Sequence, residues 1–163
     1  MNDRRSFLGL VGASGVSLLL LDRPSSAAAG VSFSLERAPA EWRRILGARR
    51  YAVLREGATE RPFASPLNKE HRSGLFVCAG CALPLFSSTT KFDSGTGWPS
   101  FWRPLPRAVA TRRDRSLMME RTEVLCARCG GHLGHVFRDG PRPTGLRYCI
   151  NGLALRFRPA SSA

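Results

Sequence analysis

The chain has 163 residues, 43% of them hydrophobic and 23% charged, a balance that fits one compact domain and excludes a disordered chain. Basic residues outnumber acidic ones 25 to 12, for a net charge of +13, yet all except Lys69 and Lys91 are arginines scattered from Arg4 to Arg158. No basic run marks a nucleic-acid face, and five cysteines, an odd number, exclude a framework of disulfides alone.

Residues 1–29 read as a twin-arginine-type export signal, which places the mature protein in the periplasm or outside the cell. Arg4-Arg5 precede an apolar stretch from Leu8 to Leu21, and Ala27-Ala28-Ala29 supply a small-residue cleavage site. At about 1.5 Å per residue that stretch reaches about 21 Å, short of the roughly 30 Å hydrocarbon core, so no stable membrane anchor is expected. The domain that remains, residues 30–163, keeps a net charge of +12.

From Pro39 onward Trp42, Ile45 and Leu46 recur at helical spacing, Gly47 interrupts, and Tyr51, Val53 and Leu54 resume, which predicts two short N-terminal helices. Thr59 to Asn68 contains two prolines and no helical period; it reads as an extended strap. After Gly74 short apolar or alternating runs follow at 75–78, 83–86, 108–112, 117–126, 132–137 and 147–157. The connections are too short for βαβ crossovers, so the domain is expected to be mainly antiparallel β.

Two C-x-x-C knuckles, Cys78 to Cys81 and Cys126 to Cys129, offer four thiolates for a tetrahedral metal, zinc being the best match. Iron could use the same sulfurs, and two disulfides would suit an oxidising compartment, but metal loaded before export answers the latter. The 44 residues between Cys81 and Cys126 make the metal a clip between distant hairpins.

Cys149 is then left over. In Arg147-Tyr148-Cys149-Ile150-Asn151 a period of two puts Arg147, Cys149 and Asn151 on one face, so a fixed positive charge stands beside the thiol and favours its nucleophilic form. An inert core cysteine is the bland alternative. His132 and His135, followed by Asp139, sit in a glycine-rich stretch as acid–base candidates. The loop Asp93 to Trp102 has no phosphate-cradle signature, and Trp98 and Phe101 in it suit an apolar clamp on a substrate.

The ordered set of C-x-x-C at Cys78, K-F-D-S-G-x-G-W-P-S-F from Lys91, C-x-x-C at Cys126, G-G-H-L-G-H-V-F-x-D-G-P from Gly130 and R-Y-C-I-N from Arg147 resembles methionine sulfoxide reductase type B, from about Trp42 to Phe157. The resemblance implies two antiparallel sheets in an open tent, a structural zinc, and reduction of methionine-(R)-sulfoxide in oxidised proteins. It also implies roles: Cys149 as nucleophile, Trp98 against the ε-methyl group, His132, His135 and Asp139 acting on the sulfoxide oxygen, Arg147 holding the thiolate charge, and Asn151 lining the pocket. Many members carry a resolving cysteine where this chain has Thr96. A sulfenic acid on Cys149 is therefore expected to be reduced by a thioredoxin-like protein or a small thiol. The protein is expected to be a monomer. A nucleic-acid-binding zinc module would carry basic or aromatic residues around the knuckles, where Ala and Gly prevail; a purely structural zinc domain would not need Arg147, Cys149, His132 and His135 together.

Overall fold

The computed structural model describes residues 32–116 and 119–161. The signal at residues 1–29 and the residues Leu117 and Met118 of one expected strand lie outside the described residues.

Helix α1, Pro39–Glu56, is two helices joined across a kink at Gly47, whose φ of +67° is the left-handed conformation that glycine adopts without cost. It ends at Gly57, also left-handed. Trp42, Leu46, Tyr51, Val53 and Leu54 form its buried stripe, as the helical spacing predicts.

Nine strands follow: β1 (Gly74–Cys78), β2 (Pro84–Ser87), β3 (Lys91–Phe92), β4 (Ser100–Phe101), β5 (Val109–Asp114), β6 (Arg121–Cys126), β7 (His132–Phe137), β8 (Arg147–Ile150) and β9 (Leu155–Pro159). They form two antiparallel sheets, ordered β2-β1-β9 and β3-β4-β8-β7-β6-β5. The mainly β, two-sheet class is as expected. The run 147–157 is not one strand, however. Asn151 N–H bonds the Leu133 carbonyl, a short 3-10 turn over Gly152–Ala154 follows, and the chain passes from the larger sheet to the smaller one. β3 and β4, two residues each, are strands that the sequence does not mark: β4 lies in the Asp93 to Trp102 loop and β3 directly precedes it.

The sheets meet through aromatic side chains. Phe101 of β4 stacks on Phe86 of β2 at 4.4 Å between ring centroids and meets Phe76 of β1 edge-on at 4.9 Å. All three are fully buried, so truncating one to alanine should cost about 3–5 kcal/mol. Phe101 is thus a core residue, not part of a substrate clamp. Its register explains this: Phe101 pairs with Tyr148 and shares that residue's face, whereas Ser100 pairs with Cys149.

The strap crosses beside the Trp98 loop. Phe63 N–H and the Asn68 amide both donate to the Gly97 carbonyl, at 2.7 and 2.9 Å. A Cβ on Gly97 would lie 2.8 Å from Phe63 N, so only glycine allows this crossing. Among the described residues no helix is long and apolar enough to cross a membrane.

Candidate active site and metal centre

The two knuckles are built alike. In each, the residue after the second cysteine is left-handed, Ala82 at φ +59° and Gly130 at φ +66°. Its N–H bonds back to the carbonyl of the first cysteine, Ala82 to Cys78 and Gly130 to Cys126, both at 2.9 Å. The four sulfurs lie within 4.8 Å of one another, with Cys78 to Cys129 at 3.8 Å and Cys81 to Cys126 at 3.5 Å. Those separations are far beyond a disulfide bond of about 2.05 Å and match the edge, about 3.8 Å, of a tetrahedron with 2.3 Å metal–sulfur bonds. Four soft sulfurs so placed fit zinc.

The second centre is a polar row running across the larger sheet. Register pairs Arg112 with Glu123, Glu123 with His135, His135 with Cys149, and Cys149 with Ser100, so all five share one face. A cavity of about 170 Å³ opens on this face, lined by Cys149, His135, Trp98, Phe137, Asn151, Arg121, Thr59 and Gly134. Trp98 is fixed through its indole N–H, which donates to the Glu60 carbonyl at 3.1 Å. Glu60 is anchored in turn: its N–H donates to Asn151 Oδ1 at 3.0 Å, and its carboxylate accepts the Gly152 and Leu153 N–H groups.

In a regular strand His132 and His135 would face opposite ways. A bulge in β7 brings them together: Leu125 pairs with His132 and Val124 with Gly134, leaving Leu133 as an extra residue turned into the core. The imidazoles then meet edge-to-face, 5.5 Å apart. Each has its own carboxylate, Glu123 Oε1 at 2.7 Å from Nδ1 of His132 and Asp114 Oδ2 at 2.7 Å from Nε2 of His135. Burial pushes the His135 pKa down while Asp114 opposes the shift. Asp114 is held well below the usual carboxylate range by the Ser116 backbone N–H, the Ser116 hydroxyl and His135.

Residues 46–159 match the SelR domain. A protein of Bradyrhizobium diazoefficiens named peptide methionine sulfoxide reductase MsrB is 61% identical over 120 residues, which is 73% of this chain and 86% of that protein. The chain belongs to the MsrB family of peptide methionine sulfoxide reductases. Relatives of the same name from Leptospira interrogans and Methanosarcina barkeri are 49% and 50% identical over 129 and 126 residues, covering 78% and 77% of this chain and 98% and 89% of their own lengths.

Within this MsrB-family oxidoreductase, Cys149, His135, Trp98 and Asn151 are brought to one cavity, Arg147 borders it with its charge favouring the Cys149 thiolate, and His132 and Asp139 stand elsewhere. His132 is buried behind His135, with Nε2 lacking a partner among the described residues. Asp139 does not join the histidines; the loop after β7 carries it over Arg147, whose guanidinium grips both its oxygens at 2.9 and 2.7 Å. Arg147 also stacks on Phe137 at 4.4 Å. The expected depression of the Cys149 pKa is not the net result either. Burial pushes the thiol up, and the Thr96 hydroxyl, 3.8 Å away, and the Arg147 charge only oppose that push. Asp114, Glu123, Arg121, Thr59 and Glu60 were missed. A carboxylate inside the apolar run of β6 was the available signal for Glu123; Asp114 reads in sequence as a turn residue.

Proposed function

We propose that this protein reduces methionine-(R)-sulfoxide residues of oxidised proteins. The supporting observation is that Cys149 and His135 are directly opposed across β8 and β7 and share a cavity walled by Trp98 and Phe137. A sulfoxide sulfur is a poor electrophile until its oxygen is protonated or strongly hydrogen-bonded, so an acid must act together with the thiolate. Asp114, ionised, holds His135 by Nε2, which leaves Nδ1 to carry the proton delivered to the sulfoxide oxygen. The Cys149 sulfur bonds the sulfoxide sulfur, the oxygen is transferred, and methionine leaves; Cys149 is oxidised to a sulfenic acid and the substrate is reduced. Trp98 and Phe137 offer apolar surface for the substrate methyl group.

Regeneration uses an external thiol. Its sulfur displaces the sulfenic oxygen as water, giving a mixed disulfide, and a second thiol releases Cys149. Thr96, the hydroxyl nearest Cys149, cannot form a disulfide, and the other four cysteines are grouped at the metal centre. Cys78, Cys81, Cys126 and Cys129 would hold a zinc ion as a structural clip between the ends of β1 and β6.

Turnover of the two separated sulfoxide epimers by wild type and Cys149→Ser tests the reading. Only the R epimer should react, and only with wild type; reduction of the S epimer or an active Cys149→Ser protein refutes it. A monomeric protein exported through residues 1–29 is part of the same proposal. Cell fractionation of wild type and Arg4→Lys/Arg5→Lys reads it, and an unchanged distribution removes it.

A further inference from the structure

The Cys149 cavity, at about 170 Å³, is well below the roughly 300 Å³ at which pockets enclose drug-sized ligands, so most of a polypeptide substrate must lie outside it. Thr59 at its rim also lines a hollow of about 380 Å³, with Arg49, Glu60, Arg61 and Leu153. Arg49, Glu60 and Leu153 in turn line a third hollow of about 370 Å³ that adds Arg50, Arg156 and Phe157. Shared lining residues set these three hollows side by side, a segmented groove that runs from the thiol, past the strap, to β9.

The groove carries an unbalanced charge. None of Arg49, Arg50, Arg61 and Arg156 takes part in an ion pair of the described residues. Arg50 and Arg156 stand close enough for the charge of one to lower the pKa of the other, in addition to burial. Glu60 is the acidic residue lining either hollow, and its carboxylate is engaged by the Gly152 and Leu153 amides. Four arginines against the single carboxylate of Glu60, around a partly apolar floor, favour an anionic partner that is itself partly apolar.

We propose that this groove binds the polypeptide flanking the oxidised methionine and favours segments that carry aspartate or glutamate. The inference rests on the reductase reading above and adds a substrate preference to it. Exposed pairs are individually weak and salt-screened, so the preference should arise from several of them and fade at high ionic strength.

The test uses the full chain and fluorescent peptides holding one methionine sulfoxide flanked by aspartates, glutamines or lysines, placed on either side. At low salt kcat/KM for the best acidic peptide should exceed that for the glutamine peptide by about tenfold. In Arg50→Glu/Arg156→Glu that ratio should fall to about one, and in the control Arg103→Glu/Arg107→Glu, outside the groove, it should persist. Equal rates for acidic and neutral peptides in wild type overturn the proposal, as does an equal loss in the control, which would assign the effect to net charge. Should Arg50→Glu/Arg156→Glu fail to fold, Arg50→Gln/Arg156→Gln reads the same ratio. Absence of turnover for every sulfoxide would refute the reductase reading instead; anisotropy of the unoxidised acidic and neutral peptides then still decides whether the groove selects acidic segments.

Discussion

Asp114 Oδ2 is shared by two nitrogen groups: Nε2 of His135 at 2.7 Å and Nη2 of the Arg121 guanidinium at 2.8 Å. Arg121 also bonds the Ser116 hydroxyl at 2.9 Å, so the carboxylate that orients His135 is itself fixed from the far side. The site thus has a His135, Asp114 and Arg121 chain on its acid side and a thiol on the other.

Replacing Asp114 by asparagine removes a group that raises the His135 pKa and leaves burial, which lowers it, unopposed. An acid with a lower pKa is protonated over a narrower range, so the alkaline limb of the kcat/KM profile should move to lower pH. Activity near neutrality should fall by about a hundredfold. A pH–rate profile with the limb unmoved would show that His135 is not the acid. Stability should respond in the opposite range: Asp114 has a folded pKa below its unfolded value, so its contribution is present above the unfolded carboxylate pKa and lost as pH falls through the folded one. Thermal melts of wild type and Asp114→Asn should therefore converge in acid.

Thr96 sets its hydroxyl against the Cys149 sulfur. Its hydroxyl joins Ser94 at 2.8 Å, Ser94 joins Ser100 at 2.7 Å, and the chain ends on the Cys149 sulfur. Thr96→Val removes a group that lowers the thiol pKa, so the pH midpoint of iodoacetamide alkylation at Cys149 should rise. Thr96→Cys should change the product of one turnover from a sulfenic acid to an intrachain disulfide with loss of water, which mass spectrometry distinguishes. A wild-type disulfide from Cys149 to another position of the chain would contradict the external-thiol route.

Gly134 has a backbone reason to lack a side chain. A Cβ there would run into the Cys149 carbonyl oxygen and lie 3.0 Å from the Ile150 Cα, so β7 and β8 could not stay paired at Cys149. Gly134→Ala should cost about 3 kcal/mol, lowering Tm by about 10 °C, and should reduce kcat more than it raises KM. A melt within about 2 °C of wild type would show that the strands part at little cost.

Metal removal should act on the fold and leave the chemistry of oxygen transfer untouched. Cys126→Ser breaks a set of four sulfurs that joins the end of β1 to the end of β6, and structural zinc in small domains can supply about 10 kcal/mol or more of apparent folding free energy. Metal analysis should find one zinc per wild-type chain and less in Cys126→Ser, whose Tm should drop by about 15 °C or more. At the matching knuckle, Ala82→Gly should be neutral or stabilising, since alanine at φ +59° pays a steric cost that glycine avoids.

The amino-acid sequence by itself determined the features that depend on neighbours along the chain. Short alternating runs specified the strands, the doubled C-x-x-C specified the metal set, and a period of two around Cys149 placed Arg147, Cys149 and Asn151 against Tyr148 and Ile150. Tertiary structure decided the features that depend on register between distant strands. It paired His135 with Asp114 instead of Asp139, because the β7 bulge reverses the side-chain alternation and the β5–β6 hairpin brings Asp114 alongside. It turned Phe101 into the core, because its partner across β4 and β8 is Tyr148. It split the run after Cys149 into two strands of different sheets, because Asn151 and Glu60 anchor a turn between them. Local periodicity is carried by every few residues of the chain, whereas a bulge or a register is a free-energy balance over two or three strands at once, and no single segment contains it.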